Sequence, residues 1–126
     1  MHKDPIEYLR HILDECAYIK SVITPELEKN DFLENETLKR AVIRSLEIIG
    51  EATKKITADL KYHWNSISWK NMAGMRDRLI HDYMGVDYSI VWDVVKNKIP
   101  ELYDQIESVI EEETRKKNYW NKSYTQ

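Results

Sequence analysis

The chain has 126 residues, of which 42% are hydrophobic and 33% charged, with three Gly, three Pro, one Cys and a formal net charge of −3. That length suits one domain with its own core, and so few turn formers argue against a many-stranded sheet. The negative balance excludes a bulk phosphate-binding surface, no apolar run approaches the roughly 18 residues of a bilayer span, and the lone Cys16 cannot form an internal disulfide. With a start that lacks secretory character, Cys16 points to a reducing, cytoplasmic setting. Charge is uneven: from Arg115 onward there are four basic residues and no acidic one, which leaves the preceding chain near −7. Any contact with a polyanion must therefore come from a local basic patch.

Asp4-Pro5-Ile6-Glu7 reads as a helix start, with Asp as N-cap, Pro at the first helical position and Glu closing a capping box. Ile6, Leu9, Ile12, Leu13, Cys16, Ile19 and Ile23 then recur at three- and four-residue steps, one apolar face with Cys16 as core filler. Thr24-Pro25 interrupts it, and the stretch to Asn35 around Phe32 and Leu33 reads as a connection, with or without a helical turn. A second helix from about Asn35 carries Leu38, Ala41, Val42, Ser45, Ile48, Ile49, Ala52 and Ile56. Gly50 inside it costs about 1 kcal/mol against Ala, a cost that a close helix–helix approach would justify. Residues 57–68 read as an irregular linker holding Tyr62, His63 and Trp64.

Ser68 is the expected N-cap of a third helix from Trp69 to about Tyr83, stopped by Gly85. Asp87 caps a fourth through Tyr88, Val91, Trp92, Val95 and Ile99. Pro100 cannot continue that helix unbroken but suits the start of a fifth segment, with Leu102, Tyr103, Ile106, Val109 and Ile110. The expectation is an all-α, up-and-down bundle of four long helices plus one or two short ones. It spans residues 1–114, followed by a basic-aromatic tail at 115–126 with Tyr119, Trp120 and Tyr124. That tail has the makings of a base-stacking surface, although a disordered or partner-docking tail is the plainer reading.

The chemistry concentrates in Arg76-Asp77-Arg78-Leu79-Ile80-His81-Asp82-Tyr83. An imidazole titrates near neutrality, so His81 fits a general base or acid. The guanidinium of Arg76 matches phosphate oxygens and would stabilise a developing phosphorane. Together they suit attack of an RNA 2′-hydroxyl on its neighbouring phosphate. Helical geometry complicates this. Arg76 and Tyr83, seven apart, share a face on a regular helix, whereas His81 lies about 140° from Arg76. A joint site needs a distorted helix end, the reach of the long Arg arm, or a second copy of the helix, which predicts a homodimer with the site at its seam. Asp77 and His81, four apart, share a face, so the carboxylate could orient the imidazole. On spacing alone the plain reading is a salt-bridged helix terminus built from Asp77, Arg78 and Asp82.

Other candidates carry less. His2, His11, His63 and His81 show no metal-ligand spacing, and one Cys makes no zinc site. There is no phosphate loop and no nucleophile elbow. Glu47 and Glu51, one turn apart, form either a carboxylate pair or a polar stripe, and the stripe is the plainer of the two.

The octet contains Arg76-x-x-x-x-His81-x-Tyr83, preceded by Trp69-Lys70-Asn71-Met72-Ala73-Gly74-Met75 and followed by Gly85-Val86-Asp87 and Val91-Trp92-Asp93. Upstream stands Arg44-Ser45-Leu46-Glu47-Ile48-Ile49-Gly50-Glu51-Ala52. In these stretches, over roughly residues 4 to 112, the chain resembles the HepT-like toxins of the HEPN superfamily. The resemblance implies a homodimeric helical bundle with both motifs lining a shared cleft, and a metal-independent endoribonuclease toxin without cofactor. It also implies neutralisation by an MntA-like nucleotidyltransferase antitoxin that transfers AMP to the motif tyrosine. Arg76 and His81 would be the catalytic pair, Asp77 the supporting polar neighbour and Tyr83 the modified residue. An alternative is a non-catalytic helical subunit that only binds such a nucleotidyltransferase. Asp77 departs from the Asn of many members, and an acidic group there could repel phosphate or raise the pKa of His81.

Overall fold

The computed structural model describes residues 4–125, with side chains through Lys122; His2 and the side chain of Tyr124 fall outside the described residues. Every regular element among them is helical. Helix α1 (Pro5–Val22) starts where Asp4 accepts a bond from the Ile6 amide at 2.9 Å, with Pro5 in the first turn. Glu7 returns no side-chain bond, so the cap is Asp4 alone rather than the expected box; the second oxygen of Asp4 pairs with Lys117 near the far end of the chain. Leu9, Ile12, Cys16 and Ile19 are fully buried along one face, and burying a residue such as Leu or Ile is worth about 1.5–3 kcal/mol.

The expected connection before Asn35 holds a short helix, α2 (Lys29–Glu34), nucleated by reciprocal capping between Glu28 and Asp31. It buries Phe32, whose ring lies 5.4 Å from that of Trp92. Asn35 then caps α3 (Glu36–Lys55) through the Leu38 amide. The linker expected at 57–68 likewise contains a helix, α4 (Ala58–His63), because the Thr57 hydroxyl caps Leu60 and Leu60 packs into the core. Both belong to the one or two short helices expected beside the long ones; six residues are too few for a periodic signal, so capping fixes where they form.

Helix α5 (Trp69–His81) ends earlier than expected. Asp82, at φ −127° and ψ 50°, leaves the helical region, and Tyr83–Gly85 form a separate 3₁₀ turn. Gly85 does not act through positive φ, which no glycine has here. A Cβ on it would lie 2.7 Å from the Asp82 carboxylate. Helix α6 (Tyr88–Asp93), capped by Asp87, passes through a π-helical stretch, Val94–Lys98, into α7 (Ile99–Thr125) without a break. The Ile99 amide bonds five residues back to Val94, and this widened turn accommodates the ring and missing N–H of Pro100. Expected segments four and five are therefore one long helix, and it continues through Arg115 to Thr125.

Four long helical rods (α1, α3, α5 and the joined α6–α7) and two short helices make the bundle. The principal contacts run α5 on α3, α3 on α1 and α1 on α7. Helix α5 is thus an outer element held chiefly by α3, with Trp69 and Leu79 as its only buried residues among those described. Among the described residues no helix is long and apolar enough to cross a membrane.

Candidate active site

Where α5 crosses α3 there is no room for a side chain on Gly50. A Cβ there would stand 2.1 Å from the Cβ of Arg76 and 2.9 Å from its Cγ. The close approach that would justify the glycine is therefore real, and its counterpart is the motif arginine. The stem of Arg76 lies in the Gly50 slot with its side chain only 23% exposed, and its Nε is buried without a hydrogen-bond partner. The tip emerges between two carboxylates, with Nη2 3.0 Å from Glu51 and Nη1 3.1 Å from Asp77. Asp77 also pairs with Lys54. The Lys54 hydrogen bond, then that of Arg76, lowers the pKa of the Asp77 carboxyl below its ordinary 3.8.

Arg76 borders a groove of about 570 Å³ between α1, α3 and α5, whose walls include His11, Arg44, Glu47, Glu51, Lys55 and Ile80. Glu47 lies 3.7 Å from Arg44, so both carboxylates of the Glu47/Glu51 stripe are held by arginines. Burial pushes the thiol of Cys16, on the core face of α1, up to about 12. No group of three or more His, Cys, Asp or Glu side chains suited to a metal ion occurs among the described residues.

His81 is the last residue of α5, exposed, and does not border the Arg76 groove. The helix is regular up to that point, so a distorted helix end does not bring the two together. The guanidinium does bend across to Asp77, which shares a face with His81, so the long arm closes part of the angle. The expected bond from Asp77 to His81 is absent among the described residues, because Asp77 is committed to Lys54 and Arg76. The salt-bridged terminus expected from Asp77, Arg78 and Asp82 is realised only at Asp77.

Tyr83 requires a correction. The face it was to share with Arg76 presumes helix as far as residue 83, and the backbone leaves the helix at Asp82. Tyr83 is instead 53% exposed on the 3₁₀ turn, beside Met84, which is 94% exposed. Both Tyr83 and His81 are reachable from outside the chain. Lys55 of the groove and Lys54, which pairs with Asp77, carry no role in the sequence reading, and His11 enters it only as a rejected metal ligand. Only the Glu51–Lys55 spacing of four could have flagged one of them.

A family model described as "Ribonuclease HepT-like" matches residues 12–109. Among similar proteins, one from Caldanaerobacter subterraneus subsp. tengcongensis named "Putative RNase" is 41% identical over 88% of this chain and 98% of its own length. A protein of the same description from Methanocaldococcus jannaschii is 43% identical over 80% of this chain and 89% of its own. A "Probable ribonuclease HepT" from Thermococcus cleftensis is 44% identical over 86% of this chain and 94% of its own. No solved structure matches significantly. With an all-helical bundle, an Arg76-x(4)-His81-x-Tyr83 motif and a family match over most of its length, the chain belongs to the HepT-like ribonuclease family.

Proposed function

We propose that this protein is the toxin of a toxin–antitoxin pair, a metal-independent endoribonuclease with Arg76 and His81 as its catalytic pair. The observation that carries the reading is the Arg76 slot over Gly50. A helix interior gives up about 1 kcal/mol at a glycine so that one arginine can sit at a fixed place beside a groove. In the reaction His81 takes the proton of an RNA 2′-hydroxyl, whose oxygen bonds to the adjacent phosphorus. The 5′-oxygen leaves with a proton from a second acid, and the products are a 2′,3′-cyclic phosphate and a 5′-hydroxyl end. Arg76 offsets the charge on the non-bridging oxygens.

A homodimer supplies the second acid as the other copy of His81. Gly74 supports this arrangement. It stands mid-helix in α5, and apart from the backbone of its own helix nothing among the described residues lies within 4 Å of a Cβ placed on it. It is seven residues from His81 and therefore on nearly the same face. A second copy crossing closely at Gly74 would account for the glycine and would bring both imidazoles to one seam.

Tyr83, on its exposed turn, is the proposed target of an MntA-like nucleotidyltransferase. Its hydroxyl attacks the α-phosphorus of ATP, pyrophosphate leaves, and the added phosphate opposes binding of a second polyanion. The test expresses wild type, Arg76→Ala and His81→Ala with and without an MntA-like nucleotidyltransferase, following growth and RNA ends. Arrest by wild type alone, new 5′-hydroxyl ends and an AMP-bearing Tyr83 peptide after co-expression are expected. Equal growth of all three without the partner would instead favour a non-catalytic subunit that only binds it.

A further inference from the structure

We infer that Glu51 is a built-in counter-anion that holds the place of a phosphate on Arg76, and that Lys55 receives Glu51 when a phosphodiester takes that place. The inference rests on the reading of Arg76 as a phosphate-binding residue. As folded, Arg76 has no charge to spare. Glu51, Arg76, Asp77 and Lys54 form a continuous chain of ion pairs whose formal charges cancel. The Nε edge of the guanidinium is buried, and each terminal nitrogen faces a carboxylate. A phosphate entering this quartet meets a neutral cluster with a carboxylate already on the fork.

The two carboxylates are not equally free to leave. Asp77 is adjacent to Arg76 in sequence and held by two cations. Among the described residues Glu51 is held by Arg76 alone, and its side chain is 52% exposed. One helical turn further along α3 stands Lys55, which borders the same groove and has no ion pair among the described residues. Glu preceding Lys by four residues is the favoured orientation for a helical pair. Swinging Glu51 from Arg76 to Lys55 leaves the remaining three groups with a net single positive charge, open on the groove side. The helix that pins Arg76 through Gly50 thus also carries both positions of the gate.

The test is binding of a fluorescent 2′-deoxy oligonucleotide, which cannot be cleaved through a 2′-hydroxyl, measured by anisotropy at fixed salt. A half-exposed ion pair is worth up to about 1 kcal/mol, so Glu51→Gln should tighten binding about fivefold. Glu47→Gln removes the same charge from the same groove but releases Arg44, and should change affinity less than about twofold. Lys55→Ala should weaken binding in the wild-type background and have little effect beside Glu51→Gln, because the receiver has then lost its carboxylate. Equal tightening by Glu47→Gln and Glu51→Gln would overturn the gate, as would a Lys55→Ala effect of the same size in both backgrounds. Arg76→Ala separates the two readings. If it weakens binding while Glu51→Gln gains nothing, only the gate is wrong. If it leaves binding unchanged, Arg76 is not the phosphate residue and both fail.

Discussion

Arg76 and His81 are five residues apart on one helix and are held in opposite ways. The arginine stem lies in a slot cut for it by Gly50, and its tip is bound by Glu51 and Asp77. His81 stands at an exposed helix end, and Tyr83 follows on an exposed turn. The chain therefore fixes its anion-binding group from within and presents its proton-transfer group and its modifiable hydroxyl outward. The glycines repeat the contrast: Gly50 is demanded by atoms of α5, while a Cβ on Gly74, on the His81 face, would meet nothing within 4 Å among the described residues beyond the backbone of its own helix.

The largest effect that sharpens this contrast is on activity. Arg76→Ala and His81→Ala should each lower RNA cleavage by about a hundredfold or more. Only Arg76→Ala should also lower the melting temperature, because it removes the buried stem beyond Cβ and leaves Glu51 and Asp77 without the guanidinium between them, whereas His81→Ala should stay within about 0.5 kcal/mol of wild type. A matching loss of stability in His81→Ala would break the comparison.

Next come the glycines, read by denaturant melts. Gly50→Ala should destabilise by about 1–3 kcal/mol, since the overlap with Arg76 must push α3 and α5 apart. Gly74→Ala should stabilise an isolated chain by up to about 1 kcal/mol through helix propensity while weakening self-association. If both substitutions destabilise the isolated chain, Gly74 is needed within one copy and the contrast between the two glycines fails.

A smaller effect is set by pH. The lowered carboxyls of Asp77 and Asp4 favour the folded state above their unfolded value of about 3.8. Their contribution is retained at neutral pH and lost as pH falls from there through the depressed folded values. Asp77→Asn should lower the melting temperature slightly at neutral pH and converge on wild type at acid pH, where the Asp77 carboxyl is already protonated, so that the acid limb flattens. The smallest effect concerns Cys16, whose buried thiol is raised to about 12. Alkylation at pH 8 should proceed only as the protein unfolds, and rapid labelling of the native chain would contradict the packing of α1.

Long periodic stretches made the bundle legible in the sequence: the Ile6-to-Ile23 stripe, the Asn35 cap, and Arg76 and His81 on their helix all stand where expected. The short helices α2 and α4 were hidden because one and a half turns carry no period. Their signals are the Glu28/Asp31 and Thr57 caps. The π-helical stretch was hidden because Pro100 reads as a breaker unless a widened turn precedes it. At the site, Gly50 announced a close crossing, but nothing local could say that Arg76 would be the partner or that Glu51 would meet it. Those are contacts between residues more than twenty positions apart. The helix end at Asp82, which removes Tyr83 from the Arg76 face, depends on a single backbone conformation that no spacing rule reads.

The most direct test of a site shared by two copies dilutes wild type with His81→Ala chains by co-expression. If the reaction uses the imidazole of one copy as base and that of the other as acid, a mixed dimer is inactive. Random pairing at equal amounts then leaves about a quarter of the RNA cleavage of the same quantity of wild-type chains. A remaining activity of about one half, with the variant folded and mixed dimers formed, would make each copy sufficient by itself and contradict the account.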